Sequence, residues 1–252
     1  MIGCDCEVCR SMDPHDTRLR SSVYVTVGDM RILIDTSPDL RQQALRENIR
    51  RVDAILITHA HVDHLFGLDE VRRINTIQGG GPIPLYAASQ TLADIRRIFD
   101  YVFGENIAGT YRPKLDLVPA DAPFALHPAN GPEVSVTPFE VVHGHTVTLG
   151  YRLDHDGASL AYMPDCASLP DSSRAVLHGL DVLVLDALRH RPHPTHLTIE
   201  QSLAIVADLA PRRAFLTHIC HDHSHAAITA ELDALGLPHV RPAYDGLEIE
   251  IG

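Results

Sequence analysis

Residues 54–64 constrain the fold of this chain more than any other segment. The continuous apolar run at residues 54–58 predicts a buried strand, because it is short and rich in branched aliphatic side chains. Four side chains that commonly bind metal ions follow it within six positions: His59, His61, Asp63 and His64. Burying such groups without partners would cost several kcal/mol, so a metal ion or solvent must satisfy them. The segment therefore predicts a metal site at the end of a strand.

The composition is that of a globular protein with an excess of metal-binding side chains. Hydrophobic residues make up 45% and charged residues 21% of the 252 residues, which excludes a disordered or fibrous chain. There are 17 histidines, and the formal net charge is −12. This charge disfavours a protein that coats nucleic acid or anionic membranes. The chain has no apolar run of about 20 residues, and residues 1–4 do not resemble a secretory signal, so we expect a cytoplasmic protein without a membrane span.

The cysteines favour a structural zinc site over disulfides. Cys4, Cys6 and Cys9 lie within six residues, and the total of five is odd, which is a poor disulfide framework. Three thiolates on a tight turn suit zinc, but a closed structural site needs a fourth ligand. His221 and Cys220, close to a predicted strand at residues 214–217, are the two candidates. We therefore expect residues 4–9 to form a zinc-binding segment.

Strand and helix patterns alternate along the chain, which predicts one α/β domain over residues 1–252. Residues 23–27 and 31–35 are typical of a hairpin around Gly28-Asp29. Residues 89–103 predict one helix capped by Ser89, and residues 247–251 predict a last strand. The pattern is lost at residues 104–132, which we interpret as a loop or insertion over the site.

The motif His59-x-His61-x-Asp63-His64 resembles the metallo-β-lactamase superfamily. Cys4-x-Cys6-x-x-Cys9 makes the chain similar to the subgroup of phosphoribosyl cyclic phosphodiesterases of phosphonate breakdown. The resemblance implies an α/β fold, a four-layer αββα sandwich, with a dinuclear centre between the sheet edges. In that subgroup a Gly-rich strand precedes the cysteines. Here the cysteines begin at residue 4, which leaves open a misplaced start or a lost edge strand.

The resemblance also implies a role for each ligand. His59 and His61 would bind the first of two catalytic divalent metals, and Asp63 and His64 the second. The remaining ligands would be His143, His218 and the bridging carboxylate Asp165, with His145 as the alternative to His143. Imidazole and carboxylate suit zinc, manganese and iron alike. The structural zinc would take His221 as its fourth ligand, with Cys220 as the alternative.

The activity implied is that of a metal-dependent hydrolase, a phosphodiesterase acting on a small sugar or nucleotide phosphate, cyclic forms included. The metal pair would generate a bridging hydroxide that attacks phosphorus. His196 matches the family's catalytic histidine and would protonate the leaving group, with His193 as the alternative; Asp63 would help orient the attacking water. We expect a small phosphodiester as the partner, with neither nucleic acid nor membrane; a homodimer is left open.

Three alternatives share these motifs. A transfer-RNA 3′-processing nuclease would need a basic arm. Residues 104–132 are not basic, because they carry two basic side chains (Arg112 and Lys114) and three acidic ones (Glu105, Asp116 and Asp121). A thioester or lactone hydrolase would use the same hydroxide on a carbonyl. A non-catalytic metal-fold protein of cofactor biosynthesis can share the cysteines, but its dinuclear motif is typically degraded, whereas every ligand is present here.

Overall fold

The computed structural model describes residues 1–104 and 111–252. These residues form two compact units, each built from separate stretches of the chain. Unit 1 comprises residues 1–19, 139–145 and 150–252, and unit 2 comprises residues 20–138 and 146–149. No helix in the described stretches is long and apolar enough to pass through a bilayer.

Unit 2 contains a sheet that starts with the predicted hairpin. The two hairpin strands pair antiparallel around Gly28-Asp29, and Gly28 takes the left-handed conformation (φ 54°) that such a tight turn favours. The next three strands run parallel, in chain order across the sheet. The strands are β1 (Val23–Val27), β2 (Met30–Ile34), β3 (Ala54–Leu56), β4 (Ile83–Ala87) and β5 (Leu115–Pro119). The helices are α1 (Leu40–Arg46), α2 (Val62–Leu65), α3 (Val71–Ile77), α4 (Ser89–Ile98) and α5 (Asp100–Phe103).

The second sheet holds the other strands in the order β12-β11-β10-β9-β8-β7-β6. These are β6 (Phe124–Leu126), β7 (Val134–His143), β8 (Thr146–His155), β9 (Ala158–Met163), β10 (Val182–Asp186), β11 (Arg213–Thr217) and β12 (Val240–Pro242). The helices of unit 1 are α6 (Asp171–Ala175), α7 (Ile199–Leu209) and α8 (His225–Ala234). Strands β9 to β12 run parallel, so their carboxyl ends lie at one edge of the sheet.

Each unit has its own apolar core. In unit 2, Leu33, Ile55 and Leu85 of the sheet pack in one cluster with Leu92 and Ile95 of α4. In unit 1, residues of β9, β10 and β11 pack in one cluster with α7 and α8. Helix α7 begins at a capping box, in which Thr198 accepts from the Gln201 N–H and the Gln201 side chain accepts from the Thr198 N–H. This cap fixes where the loop before α7 ends.

Two sequence-based predictions of local structure are wrong. Residues 89–103 form two helices, because the backbone at Phe99 leaves the helical region (φ −109°, ψ 46°) while its ring is buried. The N-cap is Ala88; Ser89 is the first helical residue and contacts Asp121. Residues 247–251 form no strand, although their side chains alternate between partly buried and exposed. The strand that pairs with β11 is β12, which lies earlier in the chain. The alternation of residues 247–251 therefore reflects side-chain packing without the backbone hydrogen bonds of a strand pair.

The predicted loop at residues 104–132 contains strands β5 and β6. Residues 105–110 of that prediction lie outside the described residues. The described part after them begins at Tyr111, and β5 pairs with β4 in parallel. The assignment of this segment as an insertion over the site stays a prediction.

Candidate metal centre and active site

In unit 2, the loop after β3 gathers the four side chains of the predicted motif. His59 and His64 are fully buried, and the His59 ring lies 4.5 Å from the rings of both His61 and His64. Oδ2 of Asp63 lies 3.9 Å from Nε2 of His64. The short helix α2 produces this grouping, because it turns the chain back immediately after His61. The structure thus places all four predicted ligands of this unit together.

Asp35 fixes the orientation of this group from the end of β2. It is fully buried, and its carboxylate accepts from the Thr58 N–H (2.8 Å), the Thr58 hydroxyl and Nδ1 of His64 (2.8 Å). Since the Thr58 hydroxyl donates to Asp35, its oxygen accepts from Nδ1 of His59, 3.0 Å away. Burial raises the pKa of Asp35, and the neighbouring His64 opposes that rise. Both histidines therefore present Nε2 as the candidate ligand atom.

In unit 1, Asp165 lies at the centre of a second group. It follows β9, is almost fully buried, and each of its oxygens lies 3.3 Å from a different histidine. Oδ2 faces Nε2 of His143, the last residue of β7, and Oδ1 faces Nε2 of His218, which follows β11. His143 donates from Nδ1 to the carbonyl of Thr195 (2.7 Å), which fixes its tautomer. A carboxylate with a different histidine at each oxygen is the arrangement expected of a bridging ligand.

His196 joins the same group from the loop between β10 and α7. Its Nε2 lies 3.9 Å from Oδ2 of Asp165, and its ring stacks on His218 with centroids 4.8 Å apart. Its Nδ1 contacts Oδ2 of Asp186 at 2.8 Å. Asp186 ends β10 and is fully buried; burial raises its pKa well above the usual range, opposed by the charge of His218. The Asp186 contact directs Nε2 of His196 toward Asp165.

The cysteine group also lies wholly within unit 1. One ligand atom from each of Cys4, Cys6, Cys9 and His221 lies within 4.8 Å of the others. The Sγ atoms of Cys4 and Cys6 are each 3.4 Å from Nδ1 of His221, and this contact lowers the pKa of Cys6 to about 6. Three thiols and one imidazole match a closed tetrahedral zinc site. Cys220 is not part of this group.

A second set of contacts holds residues 1–19 against the loop that carries His221. The partly buried Arg18 guanidinium donates to the carbonyls of Cys220 (2.8 Å) and His223 (3.0 Å). Asp16 accepts from the backbone N–H of His225 at 2.7 Å. The same loop begins at His218, whose backbone is in the left-handed region (φ 57°). The N-terminal segment therefore braces the backbone around a candidate metal ligand.

The donor chemistry fits divalent metals at both kinds of site. In the His/Asp groups, imidazole nitrogens and carboxylates converge, and backbone or carboxylate acceptors hold the other nitrogen of His64 and His143. Nε2 of His61 contacts the Thr146 hydroxyl at 3.0 Å, which leaves Nδ1 as its candidate ligand atom.

The model of the beta-lactamase superfamily domain matches residues 30–219, a range that contains both His/Asp groups. The chain belongs to the beta-lactamase superfamily. A solved diphosphatase of the PhnP family is 41% identical, covers 99% of this chain and 90% of its own, and has a TM-score of 0.86. The α/β class and the metallo-β-lactamase fold predicted from the sequence are thereby confirmed.

Two other relatives carry different names. Zinc-bound PqqB from Methylobacterium extorquens is 26% identical over 99% of this chain and 94% of its own, with a TM-score of 0.73. An octanoyltransferase from Porphyromonas gingivalis is 37% identical over 98% of this chain. The chain spans about half the length (48%) of that curated relative. Family membership together with the His/Asp groups supports a divalent metal centre and the class of metal-dependent hydrolases.

Sequence analysis missed the two buried carboxylates that support the histidines. Asp35 directly follows β2, Asp186 is the last residue of β10, and each contacts Nδ1 of a histidine elsewhere in its unit. The available signal was their position, since a carboxylate directly after a fully buried run needs a partner. The sequence alone assigns neither residue a role, because the histidine that each contacts is set by tertiary structure and not by spacing.

Proposed function

We propose that this protein is a phosphodiesterase that hydrolyses a small sugar or nucleotide phosphate, cyclic forms included, with two divalent cations. The ligands proposed for the cations are those of the two His/Asp groups: His59, His61, Asp63, His64, His143, Asp165 and His218. Zinc, manganese and iron all suit these donors. When bound, the cations supply a water activated at neutral pH and neutralise charge on the phosphoryl oxygens.

The observation that carries the proposal is the arrangement Asp186–His196–Asp165. Nδ1 of His196 contacts the buried carboxylate of Asp186, and its Nε2 lies 3.9 Å from Oδ2 of Asp165, the proposed bridging ligand. Such a histidine is placed to donate a proton to a leaving oxygen at the metal centre. Asp63, in unit 2, is the candidate for orienting the attacking water. The similarity to a PhnP-family diphosphatase supports phosphorus as the atom attacked.

A non-catalytic metal-fold protein of cofactor biosynthesis, which would bind a ligand without hydrolysing it, is the second candidate, since a coenzyme PQQ synthesis protein B is 30% identical over 73% of this chain. A transfer-RNA nuclease is disfavoured by the charge of −12. Thioester or lactone hydrolysis needs the same metals and a carbonyl substrate. The intact His/Asp groups favour catalysis over binding alone, because a binding protein has no need of a proton donor positioned beside the metals.

The test is metal analysis combined with hydrolysis of an aryl phosphodiester by the purified protein. We expect two metals per chain at the His/Asp groups, one zinc at the cysteine group, and measurable release of the aryl alcohol. Asp165→Asn should abolish turnover, whereas His239→Leu, which changes an exposed histidine, should not. A panel of ribosyl 1,2-cyclic phosphate, 2′,3′-cyclic nucleotides, linear dinucleotides and a thioester then defines the substrate class. Full metal occupancy without hydrolysis of any of these would favour the binding protein.

A further inference from the structure

His193 lies on the same loop as His196 but has a different set of contacts. It stands between Pro192 and Pro194, and proline fixes its own φ and restricts the residue before it. The His193 ring is 5.0 Å from the His196 ring, centroid to centroid. The side chain is partly exposed. The loop thus presents a second imidazole, on a restricted backbone, beside the proposed proton donor.

The contacts of His193 define its tautomer. Its Nδ1 lies 3.3 Å from the backbone nitrogen of Thr195 and 3.2 Å from the Thr195 hydroxyl. A backbone N–H can only donate, so Nδ1 accepts and the ring proton is on Nε2. The carbonyl of the same residue, Thr195, accepts from Nδ1 of His143. The backbone of Thr195 therefore sets the tautomers of two histidines, His193 on its own loop and His143 at the end of β7.

The surroundings of His193 favour its neutral form. Burial, followed by the charges of His196 and Arg189, lowers its pKa. Within residues 1–104 and 111–252, no side chain or backbone group accepts a hydrogen bond from its Nε2. The nearby His190 differs, because Glu200 and Glu231 engage its two nitrogens. His193 is thus a neutral N–H donor on the loop, with its proton available to a ligand.

We propose that His193 is a substrate-binding residue that donates a hydrogen bond from Nε2–H to a phosphoryl oxygen of the substrate. This inference rests on the proposed phosphodiesterase function and adds a specificity residue to it. A neutral donor suits this position, since a second cation beside His196 would disfavour the protonated imidazole that the leaving group needs. The ligand class it selects carries an anionic tetrahedral oxyanion, as phosphodiesters and inorganic phosphate do.

Two variants separate the hydrogen bond from the shape of the ring. His193→Leu removes the donor, whereas His193→Gln keeps an amide N–H at about the position of Nε2. The matched control is His239→Leu, which alters an exposed histidine of the same unit. For each protein we would measure metal content, kcat and KM for an aryl phosphodiester, and the inhibition constant of inorganic phosphate.

We expect His193→Leu to raise KM and the phosphate inhibition constant about tenfold or more, the effect of losing one hydrogen bond to a charged group. Metal content should not change, kcat should fall much less than KM rises, and His193→Gln should recover most of the loss. Unchanged KM and phosphate binding in His193→Leu would overturn the proposal. So would a loss confined to kcat that grows as the leaving group worsens, because His193 would then be the proton donor.

A spectroscopic readout separates this proposal from the proposed function. In the zinc-loaded protein, ¹⁵N–¹H correlation spectra assigned by comparison with His193→Gln should show Nδ1 unprotonated and Nε2 protonated. Addition of inorganic phosphate should shift the His193 Nε2–H resonance. If the wild-type protein hydrolyses nothing, the proposed function fails, but the tautomer and the phosphate response still decide the role of His193. Protonation at Nδ1, or no response to phosphate, would overturn it.

Discussion

At the scale of single residues, the two units share one carboxylate–histidine contact. In each, a buried carboxylate at the end of a strand contacts Nδ1 of a histidine: Asp35 holds His64, and Asp186 holds His196. The grouping of His59, His61, Asp63 and His64 could be predicted because their spacing after a buried strand is itself a signal. The supporting carboxylates could not, because their partners are 29 and 10 positions away and nothing local marks the pairing.

The Asp186–His196 pair is open to a double-mutant cycle. We expect His196→Ala to retain both catalytic metals and lose about 10²- to 10⁴-fold in kcat for poorly activated leaving groups, with a smaller loss for good ones. Asp186→Asn should give a similar loss, because it disturbs the tautomer of His196. If Asp186 acts through His196, the double variant should be no slower than His196→Ala. Additive losses, or full activity of His196→Ala with poor leaving groups, would remove this pair from the mechanism.

At the scale of elements, the sequence predicted best where the local pattern is complete. The hairpin of β1 and β2 is predicted correctly because its turn residues, Gly28 and Asp29, agree with the β-branched runs on either side. The division of residues 89–103 at Phe99 is not visible in the sequence, since burial of that ring is decided by the neighbouring core. The missing strand at residues 247–251 has the same cause, because a ladder needs an edge that only the assembled sheet defines.

The turn after α2 is a point where packing constrains the metal motif. A Cβ on Gly67 would lie 1.9 Å from the carbonyl oxygen of Ser37 and 2.9 Å from Cβ of Leu40. The backbone cannot easily move away, because Thr36 bonds both the His64 carbonyl and the Gly67 N–H. We expect Gly67→Ala to reduce the free energy of unfolding by about 1–3 kcal/mol or more. Gly81→Ala, whose Cβ would meet nothing within 4 Å, is the control, and urea unfolding is the measurement. Equal stabilities of the two variants would contradict this.

His190, on the loop between β10 and α7, contacts helices α7 and α8 of unit 1. Its Nδ1 lies 2.7 Å from Glu200 of α7 and its Nε2 lies 3.1 Å from Glu231 of α8, with the His223 ring 4.5 Å away. Burial alone would lower the pKa of His190, but the two glutamates outweigh it and raise the pKa. Because the folded pKa lies above that of the unfolded chain, the stabilisation is complete below about pH 6.5 and is lost as the pH rises through the folded pKa.

The expected result is a pH-dependent difference between the wild type and His190→Gln. The wild type should be more stable at pH 6 by about 1 kcal/mol or less, since the pair is partly exposed, and the difference should shrink toward pH 9. Thermal unfolding across this range, with metal content checked at each pH, measures it. His239→Gln should show no such trend. A difference that grows with pH would mean that the neutral imidazole is the stabilising form.

At the scale of the whole molecule, the cysteine group joins parts of unit 1 that are far apart in the sequence. Cys4 and His221 are 217 positions apart, yet Sγ of Cys4 and Nδ1 of His221 lie 3.4 Å apart. Hydrophobic periodicity cannot predict such a closure. The ligand chemistry of three thiols called for a fourth donor and left His221 and Cys220 open, and the family resemblance favoured His221. Because His221 follows His218 by three residues, a zinc here would connect the N-terminal segment to the loop that carries a candidate metal ligand.

Cys6→Ser tests this zinc and, with it, the choice of the fourth ligand. Structural zinc can contribute about 10 kcal/mol to folding, so losing a ligand should release one zinc per chain and lower the melting temperature by about 10 °C or more. His221→Ala should do the same, while Cys220→Ser should keep the full zinc content and stability, because its thiol lies outside the group. Zinc content by mass spectrometry and thermal unfolding of all three variants give the answer. Retention of zinc in His221→Ala and its loss in Cys220→Ser would reverse the assignment. An unchanged zinc content and melting temperature in Cys6→Ser would remove the structural zinc altogether.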